Sequence, residues 1–210
     1  MTEASIKALS ILRDFNQFQW YVIPLFLIVL YVYAVEIERR NWNVFLAGLA
    51  FYGMDLFNEI WNALILHCTG RAAFWTTPSQ SAYVIFVGLN IEITFMFAIL
   101  GIVAVKILPK DKKMKILGIP NRWVFAVLNS ILAVFIEVIL NRIGALVWEY
   151  SFWNWPNVFL IFLIGYLTFF VVAYWVHDME KVRNKIIVLS VIYGINLVGI
   201  IIFGVILRWI

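Results

Sequence analysis

The stretch FYGMDLFNEIWNALILHC, residues 51–68, is apolar enough to cross a bilayer, yet it carries two carboxylates and two amides. Asp55, Asn58, Glu59 and Asn62 recur at i, i+3, i+4 and i+7, which puts all four on one stripe of a helix. A carboxylate at bilayer mid-depth costs about 2.5–3.5 kcal/mol even on the mild insertion scale, so an intramembrane acid points to function by default. Other segments repeat the theme. Asn129, Ser130, Glu137 and Asn141 share one apolar run, Asn90, Glu92 and Thr94 a second, Tyr193 and Asn196 a third. At 1.5 Å per residue, Glu59, Glu92 and Glu137 each fall roughly 14–17 Å below one membrane edge. The acids are therefore expected to converge near the middle of the bilayer.

Convergence implies a particular chemistry. Arg142 is the one basic residue near these acids in the sequence, too few to neutralise Asp55, Glu59, Glu92 and Glu137. Burial and like-charge crowding then favour the neutral form of one or more of them. A neutral carboxylic acid in an apolar, aromatic-lined chamber can protonate an alkene or epoxide, or carry a proton in a transporter. Glu59 is the expected proton donor, tuned by Asp55 and hydrogen-bonded through Asn58 or Asn62. Glu137 or Glu92 would accept the proton or steady a developing cation. Trp75, Trp148 and Trp153 would offer π faces to that cation. Asn141 and Asn196 are candidate substrate-binding groups, although Asn90, Asn129 and Asn196 equally suit bonds from helix to helix.

Other chemistries find no support. There is no HExxH, GxSxG, P-loop or dinucleotide fingerprint. His67 and Cys68 are adjacent on a helix, so their side chains diverge by about 100° and do not pair. Cys68 is the single cysteine, which excludes an intramolecular disulfide and a cysteine metal cluster. No metal or cofactor is expected, and the net charge of +4 calls for no nucleic acid.

The elements that must position these residues follow from composition. Of 210 residues 64% are hydrophobic and 13% charged, against about 45–50% and about 25% in soluble domains. The chain reads as an all-α polytopic membrane protein of one domain, with six spans near 20–36, 42–68, 81–108, 122–147, 157–177 and 186–208. Ile6, Leu9, Leu12 and Phe15 suggest a short amphipathic helix on the interface. Lys and Arg divide eleven to five in favour of the loops after spans 1, 3 and 5, which puts both termini outside the cytoplasm and suits a plasma-membrane protein. A shift of 78 residues brings Phe57 onto Phe135, Glu59 onto Glu137, and Phe74-Trp75-Thr-Thr-Pro78 onto Phe152-Trp153-Asn-Trp-Pro156. This predicts a helical hairpin duplicated in parallel, with units near 42–108 and 120–178, and a site between them. The tryptophans before each proline suit the outer interface.

Two short motifs carry a family resemblance. LNIEITFMF (89–97) and GYLTFF (165–170) are similar to the duplicated segments of membrane lycopene cyclases, and NEIWN (58–62) resembles the acidic segment of fungal meroterpenoid cyclases. The resemblance implies a small helical terpene-cyclase-like enzyme using intramembrane acids, with Glu92 as a matching acid and Phe170 breaking the pattern in the second copy.

Together these observations predict acid-catalysed cyclisation, hydration or isomerisation of a lipid-soluble isoprenoid. A proton-coupled small-solute transporter or binding protein, built on the same acids, is the rival. A subunit whose polar stripe pairs with a partner helix is a third reading, and oligomerisation is compatible with all of them.

Overall fold

The protein is described by a computed structural model covering all 210 residues. Helix α1 (Glu3–Ser10) is capped by Thr2, whose hydroxyl accepts from the Ser5 amide. Long helices follow: α2 (Val22–Glu38), α3 (Trp42–Thr69), α4 (Ile91–Lys106) and α5 (Asn121–Arg142). Helix α6 (Thr168–Asp178) is entered through a π-helical segment, Ile161–Leu167. Helix α7 (Val182–Gly199) runs on as a second π segment, Ile200–Ile206.

Six short strands interrupt the expected all-α plan. β1 (Trp75–Thr76) pairs antiparallel with β6 (Val147–Trp148), β2 (Val84–Phe86) with β3 (Leu89–Asn90), and β4 (Lys115–Ile116) with β5 (Ile119–Pro120). The apolar run VIFVGLN, expected to open a long third span, is a hairpin instead. Asn90 ends it by capping α4, its side chain accepting from the Ile93 amide at 2.9 Å.

Six spans are not found either. Three helices are long and apolar enough to cross a membrane: Asn121–Arg142, Ile161–Asp178 and Val182–Ile206. Helices α2 and α4 have 17 and 16 residues, short of a comfortable crossing. Helix α3 has the length, but the polar stripe lowers its hydropathy.

Helix α3 is the axis of the bundle, packed against α4, α6 and α7. The α3–α4 contact is close because Gly101 faces Gly48. A Cβ on Gly101 would sit 2.8 Å from the Gly48 carbonyl oxygen, so only glycine permits this approach. By contrast α4 and α5 make few contacts with each other.

One face of the bundle gathers both termini. The Thr2 amide donates to the Arg71 carbonyl, and Arg13 Nη1 to the Ile210 oxygen. The opposite face is tied by ions. Arg122 grips Asp178 through two bonds of 2.7 and 3.0 Å, and Lys106 reaches buried Glu36. Lys185 Nζ donates to the Val176 and His177 carbonyls, stopping the end of α6.

Candidate functional site

The loops at the terminal face do not lie on top of the bundle. They fold into it. Asn62, fully buried on α3, holds the first loop by three bonds: its Oδ1 accepts from the Phe74 and Trp75 amides at 2.8 and 3.3 Å, and its Nδ2 donates to the Trp75 carbonyl at 2.7 Å. Irregular backbone at such a depth is tolerated only when protein satisfies its polar groups. The β1–β6 pair meets the same requirement, with Trp75 opposite Trp148 and Thr76 opposite Val147. Trp75 and Trp153 are thus interior residues, as is Trp148, and the interfacial placement expected of the tryptophans before each proline is corrected.

Each indole has a defined task in the fold. Trp75 Nε1 donates to Glu59 Oε1 at 2.8 Å, and Trp148 Nε1 to Glu137 Oε1 at 3.2 Å. Trp153 stacks on Trp75, ring centroids 5.5 Å apart and 21° from parallel. Gly88 makes room for this, since a Cβ there would meet Trp75 and Asn62 at 2.5 and 2.6 Å.

Beneath these rings lies a cavity of about 50 Å³. Asp55, Asn58 and Glu59 enter from α3, Glu137 from α5, and Gly165 and Tyr166 from the π segment before α6. Trp75, Trp153, Phe97 and Phe169 give it aromatic walls. The π geometry has a local use. It turns the Ile164 carbonyl toward α3, where it accepts from Asn58 Nδ2 at 3.4 Å, and brings Tyr166 against Glu137. Asp55, Glu59 and Glu137 are buried, and none pairs with Lys, Arg or His. Asp55 Oδ2, Glu59 Oε2 and Trp153 Nε1 have no hydrogen-bond partner in the protein. No three His, Cys, Asp or Glu side chains are arranged to hold a metal ion.

The residues anticipated from sequence divide cleanly. Asp55, Asn58, Glu59, Glu137, Trp75 and Trp153 meet at this cavity, with Trp148 one bond behind Glu137. Glu92 does not. It lies in the first turn of α4, because the helix starts at Ile91 and not at Ser81, and it accepts from Tyr21 Oη, Ser81 Oγ (2.6 Å) and the Ala82 amide (2.9 Å). Asn62 serves the loop, Asn141 donates to the Leu146 carbonyl, and Asn196 joins α7 to α3 through the Gly53 carbonyl. Tyr166, Phe97 and Gly88 were not anticipated. Nothing in an apolar run such as FLIGYLTFF distinguishes one aromatic from the next.

The cavity has a way out. Ile93, Met96, Leu140 and Leu146 line both it and a neighbouring depression of about 310 Å³ that also takes in Tyr21, Ser79, Gln80 and Glu92. These shared residues belong to the start of α4, the end of α5 and the loop after α5, so the two spaces adjoin near the terminal face.

Comparison with known proteins corrects one expectation. A protein of Archaeoglobus fulgidus described as an uncharacterized protein is 54% identical over 209 residues, covering 100% of this chain and 99% of its own length. A second protein of that organism, with the same description, is 51% identical over 55 residues, 26% of this chain and 98% of its own. No solved structure matches. The relatives show no resemblance to terpene or carotenoid cyclases, and Glu92, an acid on which that resemblance leaned, is bound by Tyr21, Ser81 and Ala82. The resemblance is set aside. A family profile matches residues 2–205 throughout, and the chain belongs to that family, described as an uncharacterized membrane protein family.

Proposed function

We propose that this protein is a membrane-embedded proton-transfer enzyme that admits a lipid-soluble substrate sideways, between α4 and α5. The observation that carries the reading is a set of three buried carboxylates without a cation, around an aromatic cavity that adjoins a depression between α4 and the end of α5. Three negative charges at that site are too costly in a bilayer, so protonated carboxyl groups are part of the resting state. At about 50 Å³ the cavity takes only the reacting end of a substrate, and the rest lies in that depression.

The chemistry this supports needs no co-reactant. Glu59, as the acid, gives its proton to one carbon of a double bond, and the electron pair of that bond forms the new C–H bond. The cation left on the neighbouring carbon faces Trp75 and Trp153. Ionised Glu137 removes a proton from the adjoining carbon and the double bond re-forms one position along. The net change is an isomerisation, and the proton returns from Glu137 to Glu59 before the next turnover. In this reading α2, α3 and α4 stand in the bilayer beside the three apolar helices, and both termini lie outside the cytoplasm.

A proton-coupled carrier or binding protein for a small solute is the second reading, favoured by the small volume of the cavity. One experiment separates the two. Purified protein is incubated in heavy water with a lipid extract and with geranylgeraniol as a defined unsaturated probe, and products are read by mass spectrometry. The enzyme reading expects deuterium on carbon, reduced about 100-fold or more in Glu59→Gln. Equal incorporation by wild type and Glu59→Gln overturns the assignment of Glu59. No incorporation, with pH-driven solute uptake into proteoliposomes, replaces the enzyme by the carrier.

A further inference from the structure

A second cavity, of about 540 Å³, lies at the terminal face, away from the buried acids. It is bounded by α1, the end of α3, the β2–β3 hairpin and the turn after the second π segment. Leu9, Leu66, Val205 and Trp209 contribute apolar wall, and the only charged side chains on it are Arg13 and Arg208. The two come from opposite ends of the sequence, and neither pairs with an Asp or Glu side chain.

Both arginines are held in the left-handed backbone region, with φ of 57° at Arg13 and 54° at Arg208. Two of the four non-glycine residues with positive φ in the whole chain therefore meet at one cavity. Strained residues persist where the surroundings over-determine them, and they cluster at ligand clamps. The Arg13 guanidinium is aimed rather than free. Its Nε donates to the Ile85 carbonyl at 3.2 Å, its Nη1 to the Ile210 oxygen at 3.3 Å, and its carbon lies 5.7 Å from the centre of the Phe86 ring. Nη2 keeps its hydrogens unused, and Arg208 bonds to no protein group. His67 stacked on Trp209 at 4.5 Å closes the neighbouring wall.

We infer that this cavity binds the phosphate head of an anionic membrane lipid, gripped between Arg13 and Arg208, with its first methylenes against the apolar wall. Guanidinium is the side chain best matched to phosphate oxygens, through paired hydrogen bonds in a fixed plane. The position fits as well. The cavity is at the ends of α3 and of the π segment that follows α7, where headgroups would lie, and its apolar wall would be wasted on a free inorganic anion.

Native mass spectrometry of the full chain tests the inference. Protein in neutral detergent is titrated with phosphatidylglycerol, phosphatidylcholine or inorganic phosphate. Arg208→Gln is the principal variant, since Arg208 holds nothing together in the fold. Arg13→Gln is the second, and Arg71→Gln, on the same face but outside the cavity, is the control. The expected result is one tightly retained phosphatidylglycerol, bound roughly fivefold more weakly in Arg208→Gln. Arg71→Gln should match wild type, and Arg208→Lys should recover part of the loss. Equal retention by wild type and Arg208→Gln, or equal retention of phosphatidylcholine, overturns the site. Displacement of the lipid by an equal concentration of inorganic phosphate overturns the lipid as its ligand.

Discussion

Glu59 and Asn62 stand three residues apart on α3 and carry opposite burdens. Asn62 satisfies three buried backbone groups of the loop, and Glu59 keeps an oxygen without a partner. Replacing Asn62 by Leu should cost about 3 kcal/mol, because the loop's polar groups stay buried and lose their bonds. On a chain of this size that is a fall of roughly 6–12 °C in Tm, measured by differential scanning fluorimetry in detergent. Glu59→Gln should leave Tm unchanged or raise it, because the amide oxygen still accepts from Trp75 Nε1 and a buried carboxyl is gone. A large destabilisation by Glu59→Gln would mark that residue as part of the scaffold. Sequence spacing made the α3 stripe legible, since i, i+3, i+4 and i+7 define one face. It did not reveal which stripe members bond to loop backbone, because that depends on where Phe74 and Trp75 turn back, and a helical period carries no information about a turn.

At the scale of elements the decisive feature is how little α4 and α5 touch. In a strict duplicate, α5 would meet α4 as α3 meets α6, yet α3 and α6 pack extensively and α4 and α5 barely touch. Met96, half exposed on α4, lines the opening. A nitroxide attached at Met96→Cys, in a chain with exposed Cys68 changed to Ser, should collide more with dissolved oxygen than with a water-soluble nickel chelate. The reverse order would mean that the opening faces water and would remove lateral entry. The acids at Glu59 and Glu137 were visible from the 78-residue offset. The β2–β3 hairpin was not, because VIFVGLN offers the same hydropathy whether it coils or extends, and a short apolar run does not choose between the two. Misreading that hairpin started the helix at Ser81 instead of Ile91, nearly three turns too early, and the bonds to Glu92 from Tyr21, Ser81 and the Ala82 amide are the outcome.

The whole molecule has two unlike faces. Eleven of the sixteen Lys and Arg belong to the face holding the β4–β5 hairpin, and five to the face holding the termini. The positive-inside rule then predicts an active alkaline phosphatase, and a dark cytoplasmic fluorescent protein, when either is fused after Ile210. A bright fluorescent fusion would invert the orientation. Composition made the membrane class plain, and the succession of apolar runs placed the loops on alternating faces. Span number was not legible in the same way, because the windows that suggested six ran across hairpin and stripe residues that the fold uses differently.

The β1–β6 pair has a consequence for motion. It knits the loop of one hairpin to the loop of the other, and the stacked indoles of Trp75 and Trp153 press the seam together. Rocking of one half against the other, the stroke by which alternating-access machines expose cargo first to one compartment and then to the next, would have to unpick that seam in every cycle. The proposed enzyme would leave that seam closed through every turnover, whereas a carrier would have to open it.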